Sequence, residues 1–372
     1  MDIMNYGLRE KYDQFSKFGD RLADMKKMVQ WESFRPILSD LYKNDTDQGG
    51  RPNIDPVLML KILFLQSVYN LVDESVEREM HNRIDFMNFL DYPENIPDSR
   101  TVWLFRERLS STGKDKVIWK SIWRSFESKG IIIKKGTVQD ATFIESDPGK
   151  HGKKKPPVPV DPEFPEMKRD VRTDMPAKDE TAPTGAKKRM TREEKRQAKI
   201  RNAEKKRLRR EERKYGKTRR SKDGTWTKKN NKAHFGYKLH TSQGTDVPLI
   251  REFVVTTASL HDSNVDLGIP DIPNYRDKGY YGSGTRGRDS TMDRASRKHP
   301  LSIDQIKRNR RITRKRSPGE RPYSIIKCTF HLDHVFVTMA RRVRVKAMFS
   351  CLGYNLLTFL SMRRRGKIAV AV

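Results

Sequence analysis

The chain has 372 residues, with 78 Lys and Arg against 48 Asp and Glu, a formal net charge of +30 at pH 7. That excess suits a polyanionic partner, and the length allows two or three domains with a proper core. No run approaches roughly 18 consecutive apolar residues, the N-terminal MDIMNYGLREKYDQF lacks the apolar stretch of a secretory signal, and Cys328 and Cys351 have neither disulfide-framework nor metal-type spacing, as in a reducing cytoplasm.

Residues 1 to about 130 read as helical. After the turn-like DTDQGGRPN, Asp55 is placed to cap a helix and Pro56 to occupy its first position. Leu58, Ile62, Leu65 and Tyr69 fall on one face, widened by Met59, Leu63 and Val68. A second helix follows Asp73 as far as Asn82, and a third is capped by Asp98 or Ser99. Short helices joined by tight loops suit a helix-turn-helix or an ordinary bundle.

IIIKKGTVQDATFIE then changes to β-branched strand or hairpin character. Residues 147 to about 186 are Pro-rich and predicted disordered or extended. Residues 187–222 carry 19 Lys or Arg against five Glu, and Thr191 with Glu194 matches the capping box of a solvated helix. Arg207, Arg209 and Arg210 in this run are candidate phosphate contacts. Strands are expected at 234–242 and 249–259, a short helix capped by Asp262 or Ser263, and a strand ending at Asp277. The rest is basic and helical: an arm through IDQIKRNRRITRKR, a helix after Pro318, and a last helix from about Val337 to Met362.

VQDATFIES sets a puzzle, because burying an unpaired carboxylate such as Asp140 costs several kcal/mol. Asp277 is a second isolated acid and Glu320 a third. Three carboxylates drawn from strand and helix ends hold two divalent cations about 4 Å apart, which would neutralise Asp140. Spacing alone does not choose this over a cap or an ion pair. Trp226 between lysines suits base stacking or packing. His240 reads as structural, and His261 with Asp262 as a helix cap and its neighbour. Tyr280 and Tyr281 would suit a covalent DNA–tyrosine mechanism only with Arg and His partners that are not evident.

GTVQDATFIE, FGYKLH, TTASLHDS, RDKGYYG and RSPGERPYSIIK occur in the order seen in prokaryotic insertion-sequence transposases. The chain resembles their DDE class, of the IS-four and IS-five groups. Asp140 matches the family's first Asp, Asp277 its second within "aDkGY", and Arg316, Glu320 and Lys327 the R-x3-E-x6-K part of its signature. Thr313 stands where that signature has Tyr. GRPNIDPVLMLKILFLQSVYNLVDESVEREM also resembles the family's N-terminal helical segment, and TWTKKNNKAHFGYKLH its "wtkK…GYKlH" segment.

The resemblance implies an α+β or α/β chain, with a helical N-terminal DNA-binding domain and an RNase H-like mixed-sheet catalytic domain with flanking helices. The expected division is 1–130 helical, 131–146 the start of the catalytic domain, 147–221 a long basic insertion, and 222–372 the remainder. It implies metal-dependent cleavage at transposon ends and strand transfer, with Asp140, Asp277 and Glu320 as catalytic metal ligands. Two Mg²⁺ ions, or Mn²⁺ as substitute, are the expected cofactors. Arg316, Lys327 and Lys278 are the implied DNA contacts beside the basic run. Expected partners are duplex transposon ends and target DNA, in a homodimer or larger synaptic complex without a membrane, in the nucleoid of a prokaryotic cytoplasm. The competing readings are a catalytically silent DNA-binding remnant or repressor, and a structure-selective metal-dependent nuclease.

Overall fold

The computed structural model describes residues 3–42, 52–149, 160–161, 164–168, 221–229, 231–297 and 299–366. The N-terminal region is helical: α1 (Ile3–Ser16), α2 (Arg21–Met28), α3 (Arg35–Leu38), α4 (Pro56–Val68), α5 (Asp73–Asn82), α6 (Ile84–Phe89), α7 (Ser99–Thr112) and α8 (Lys114–Ser128). Asp55 caps α4 as its sequence predicts, accepting from the N–H groups of Val57 at 2.7 Å and Leu58 at 3.0 Å. Asp98 caps α7 through the Thr101 N–H at 2.7 Å. The apolar stripe expected on α4 is a minimum: the helix is buried on nearly all sides, and even Lys61 is covered, with its ammonium on Asp91.

A mixed, curled sheet of seven strands follows. Its central strand β1 (Thr137–Ser146) begins later than the β-branched run, because Ile131 and Ile133 are buried in an irregular lead-in. The small hairpin β2 (Val160–Asp161) and β3 (Phe164–Lys168) forms a separate two-stranded sheet. β4 (Thr225–Lys229), β5 (Lys232–Gly244) and β6 (Ile250–Thr257) are antiparallel neighbours, with β4 and β6 sharing one edge of β5 and β1 lying along the other. β7 (Pro273–Arg276) runs parallel to β1, and β8 (Arg288–Thr291) parallel to β7. α9 (Ile303–Arg316), α10 (Arg321–Cys328), the short β9 (His334–Val335) against β1, and α11 (Ala340–Arg364) complete the chain.

Two boundaries differ from those read off the sequence, for tertiary reasons. The helix expected after His261 is a single 3₁₀ turn, Asp262–Asn264, with the His261 ring as its cap. The backbone then turns away, because Gln139 of β1 donates to the Val265 carbonyl at 2.6 Å and accepts the Leu267 N–H at 3.0 Å. α11 starts three residues later than expected, where the Met339 N–H meets the Tyr237 hydroxyl at 3.0 Å and the Ala340 N–H meets Asp223 at 2.7 Å. The Thr191–Glu194 capping box and most of the Pro-rich stretch lie outside the described residues.

One apolar cluster runs from Leu22 through Phe64, Trp123, Tyr237 and Leu239 to Phe359, so the N-terminal helices, one sheet face and α11 share a core. Polar groups fix the orientation of these layers. Asn355 on α11 binds both the N–H (2.7 Å) and the C=O (2.9 Å) of Ile250 on β6, and the Trp123 indole donates to that same carbonyl at 3.0 Å. α11 is long and apolar enough to span a bilayer, yet 83% of its apolar window is buried inside the protein. It is the central helix of this core.

Candidate active site

Alternation along β1 sends Val138, Asp140, Thr142 and Ile144 to one face. Val138 and Ile144 are buried there, so the same pattern draws Asp140 inward. Its Oδ1 accepts its neighbour's N–H, from Ala141, at 2.8 Å, and its Oδ2 lies 3.7 Å from Nη2 of Arg316. Burial pushes the Asp140 carboxyl above the usual carboxylate range. The Ala141 N–H and Arg316 oppose that rise, while the charges of Asp277 and Asp262 add to it. The puzzle of the sequence therefore persists in the fold: Asp140 is a half-covered acid short of positive charge.

Asp277 directly follows β7 and caps a 3₁₀ turn, Lys278–Tyr280, accepting the Gly279 N–H at 2.8 Å. Val138 of β1 stands opposite Tyr275 of β7 in parallel register. Asp140 and Asp277 each lie two residues beyond that pair, and the charge of Asp277 reaches Asp140. β7 is anchored by Arg276, whose buried guanidinium donates to Thr291 Oγ1 at 2.9 Å and to the carbonyls of Ser283 at 2.8 Å and Gly284 at 3.0 Å. Tyr280 lies beneath the pair: burial, then Asp262, Asp140 and Asp277, push its hydroxyl well above the ordinary tyrosine range. A buried phenol held protonated is the opposite of a recombinase nucleophile.

Glu320 ends the 3₁₀ turn Ser317–Glu320 between α9 and α10. Gly319 presses that turn onto β1, and a Cβ there would lie 2.7 Å from Val138 Cγ1. The Glu320 side chain is exposed, however. Among the described residues no group of three or more His, Cys, Asp or Glu is close enough to hold a metal ion. The structure thus brings Asp140 and Asp277 together and sets the backbone of Glu320 beside β1, without gathering all three carboxylates. Like charges repel, and it is Arg316 that stands on Asp140 instead.

That close approach makes Gly319→Ala informative. The added methyl should displace the turn from β1, costing about 1–3 kcal/mol of stability. Val138→Ala in the same chain makes room, so thermal melting of the double variant should show recovery.

Residues 10–108 match the family described as Transposase domain (DUF772), and residues 207–356 match Transposase DDE domain. The chain belongs to the DDE insertion-sequence transposases. No solved structure matches it. In this transposase Asp277, Arg316, Glu320 and Lys327 fall inside the DDE match, whereas Asp140 lies outside both matched ranges and rests on its place in β1.

The transposase's other candidate residues divide by position. Lys278 is exposed beside Asp277. Lys327, half-buried on α10, is held below the usual lysine range by burial and by Lys229, against the pull of Asp333 and Glu145. Arg207, Arg209 and Arg210 lie outside the described residues. Thr313 donates to the Asn309 carbonyl at 2.9 Å, an ordinary within-helix bond. Trp226 is half-exposed and packs on Phe235, and Tyr281 is exposed. His240 is buried on Thr256, its pKa lowered to about 4 by burial, which leaves it neutral and structural.

Asp262 carries more than its reading as a helix cap. Its Oδ1 accepts from the buried Lys238 ammonium at 2.8 Å, and its charge reaches Asp140 and Tyr280. The signal was Lys238 itself: a lysine inside the apolar strand HFGYKLH requires a carboxylate partner.

Proposed function

We propose that this transposase cuts DNA at the ends of its element and joins the freed 3′-hydroxyl to target DNA, at a divalent-cation site built on Asp140 and Asp277 with Glu320 as the third ligand. The observation that supports this reading is the parallel pairing of β1 with β7, Val138 opposite Tyr275, with Asp277 directly after β7 and its charge felt by Asp140. Three antiparallel strands, with two parallel strands added beside the central one, support an RNase H-like catalytic sheet.

The donors fit Mg²⁺, with Mn²⁺ as a substitute. They are carboxylate oxygens, which suit hard cations, and the raised pKa of Asp140 marks a place that lacks positive charge. When bound, such ions supply charge stabilisation and an activated oxygen nucleophile for in-line phosphoryl transfer. The chain's own residues do the positioning. The Ala141 and Gly279 N–H groups each fix one carboxylate oxygen, which orients the other. Arg316, 3.7 Å from Asp140, would be placed to hold a DNA phosphate beside the site, for which its planar fork is suited. Lys278 and Lys327 flank the path of the backbone, and Arg207, Arg209 and Arg210 supply sequence-independent contacts. The working form is a homodimer or larger on paired duplex ends, in the nucleoid of a prokaryotic cytoplasm.

The test uses a supercoiled plasmid bearing the element's own ends, Mg²⁺ or Mn²⁺, and the purified chain. Wild type should nick at the ends and transfer strands. Asp277→Asn and Glu320→Gln should bind the ends as wild type does and cut at least about a thousandfold more slowly. Cleavage that survives either substitution overturns the ligand set. Cutting without strand transfer would favour a nuclease, and binding without cutting a repressor.

A further inference from the structure

β4 and β5 run past the end of the sheet. β1 accompanies β5 only as far as Gly236, whereas β4 pairs with β5 from Gly236 out to Lys232. The outer part is therefore a two-stranded ribbon, closed by a turn in which Asn231 takes a φ of 62°. Lys228, Lys229 and Lys232 are exposed on it, and GTWTKKNNKA, residues 224–233, contains no acidic residue. Among the described residues none of the three lysines has a carboxylate partner, although the Lys229 ammonium lies 5.8 Å from the Phe143 ring. Three exposed cations that hold no acid among the described residues are complementary to a polyanion. Lys327 on α10 lies within electrostatic reach of Lys229, with Asp333 and Glu145 also near it.

We propose that this ribbon is a duplex-DNA clamp, with its tip in the major groove and Lys228, Lys229 and Lys232 on the flanking phosphates. A two-stranded ribbon fits a major groove about 12 Å wide. Trp226, 49% exposed at the ribbon's base and packed against Phe235 at 5.2 Å, stiffens the point where the ribbon leaves the sheet. The clamp rests on the transposase reading above and adds to it the element that grips the DNA.

The experiment measures binding of the full chain to a fluorescent duplex of the element's end by anisotropy, across a salt series. Wild type is compared with the combined Lys228→Ala, Lys229→Ala and Lys232→Ala variant, and with the corresponding triple Gln variant, which preserves the hairpin's polar surface. Each phosphate contact contributes about 0.9 to the slope of log K against log salt, so the slope should flatten by about 2.7. Affinity at moderate salt should fall by tenfold or more, with melting temperatures unchanged. An unchanged slope in both variants overturns the clamp. A lysine-dependent slope in a wild type that never cuts supports the clamp and removes only the catalytic reading. A wild type that does not bind duplex DNA, or a slope that changes only on RNA, overturns it.

Discussion

Arg344→Ala is expected to lower the stability of the chain by about 3–5 kcal/mol. Asp115, in the first turn of α8, is only 1% exposed, and Arg344 of α11 engages both of its oxygens, through Nε and through Nη2 at 3.0 Å. Truncating the arginine leaves a carboxylate buried in the seam between α8 and α11 without its cation. The consequence reaches beyond one seam, since α11 also holds β6 through Asn355 and shares the core under the sheet. Urea denaturation gives the number directly. A loss below about 1 kcal/mol would mean that the pair behaves as an exposed one.

Asp140→Asn is expected to separate stability from activity. With Asp140 in the proposed cation site, cleavage should fall on the order of a thousandfold or more, because an amide would not replace a charged ligand. The melting temperature at neutral pH should rise. Burial, Asp277 and Asp262 raise the folded pKa of Asp140 above its unfolded value, so folding favours the protonated acid. Stability is therefore greatest below the unfolded pKa and falls as pH rises through the folded one. The asparagine variant lacks that loss. The two proteins should melt alike in acid and diverge as pH rises through that window, with the variant higher. A variant that melts lower at neutral pH would show that Arg316 and the Ala141 N–H already satisfy the carboxylate.

Much of this fold was legible because its local signals agree with its packing. Asp55–Pro56 and Asp98 start helices where such residues do, and β5 and β6 alternate or run apolar as strands do. The failures are places where a distant residue decides. The turn after His261 is stopped by Gln139, more than a hundred positions earlier in the chain, and α11 is started by Asp223 and Tyr237. The candidate site divides in the same way. Asp140 and Asp277 stood out as acids at unusual places along or just after strands, and the parallel pairing of β1 with β7 sets each two residues beyond the Val138–Tyr275 pair. Asp262 was underrated, because its partner Lys238 sits on a strand that no local rule connects to it. The position of Glu320 depends on how closely Gly319 seats on Val138, a contact that the spacing R-x3-E-x6-K does not specify.

Manganese binding to the full chain, followed by electron paramagnetic resonance with and without an end duplex, tests the central claim most directly. The account predicts bound Mn²⁺ in wild type, a spin-coupled pair once DNA is present, and loss of that signal in Asp140→Asn and Asp277→Asn. Glu320→Gln should keep weak binding but lose the coupled pair. Manganese bound equally well by all four proteins, or by none of them, would contradict a cation site on Asp140 and Asp277.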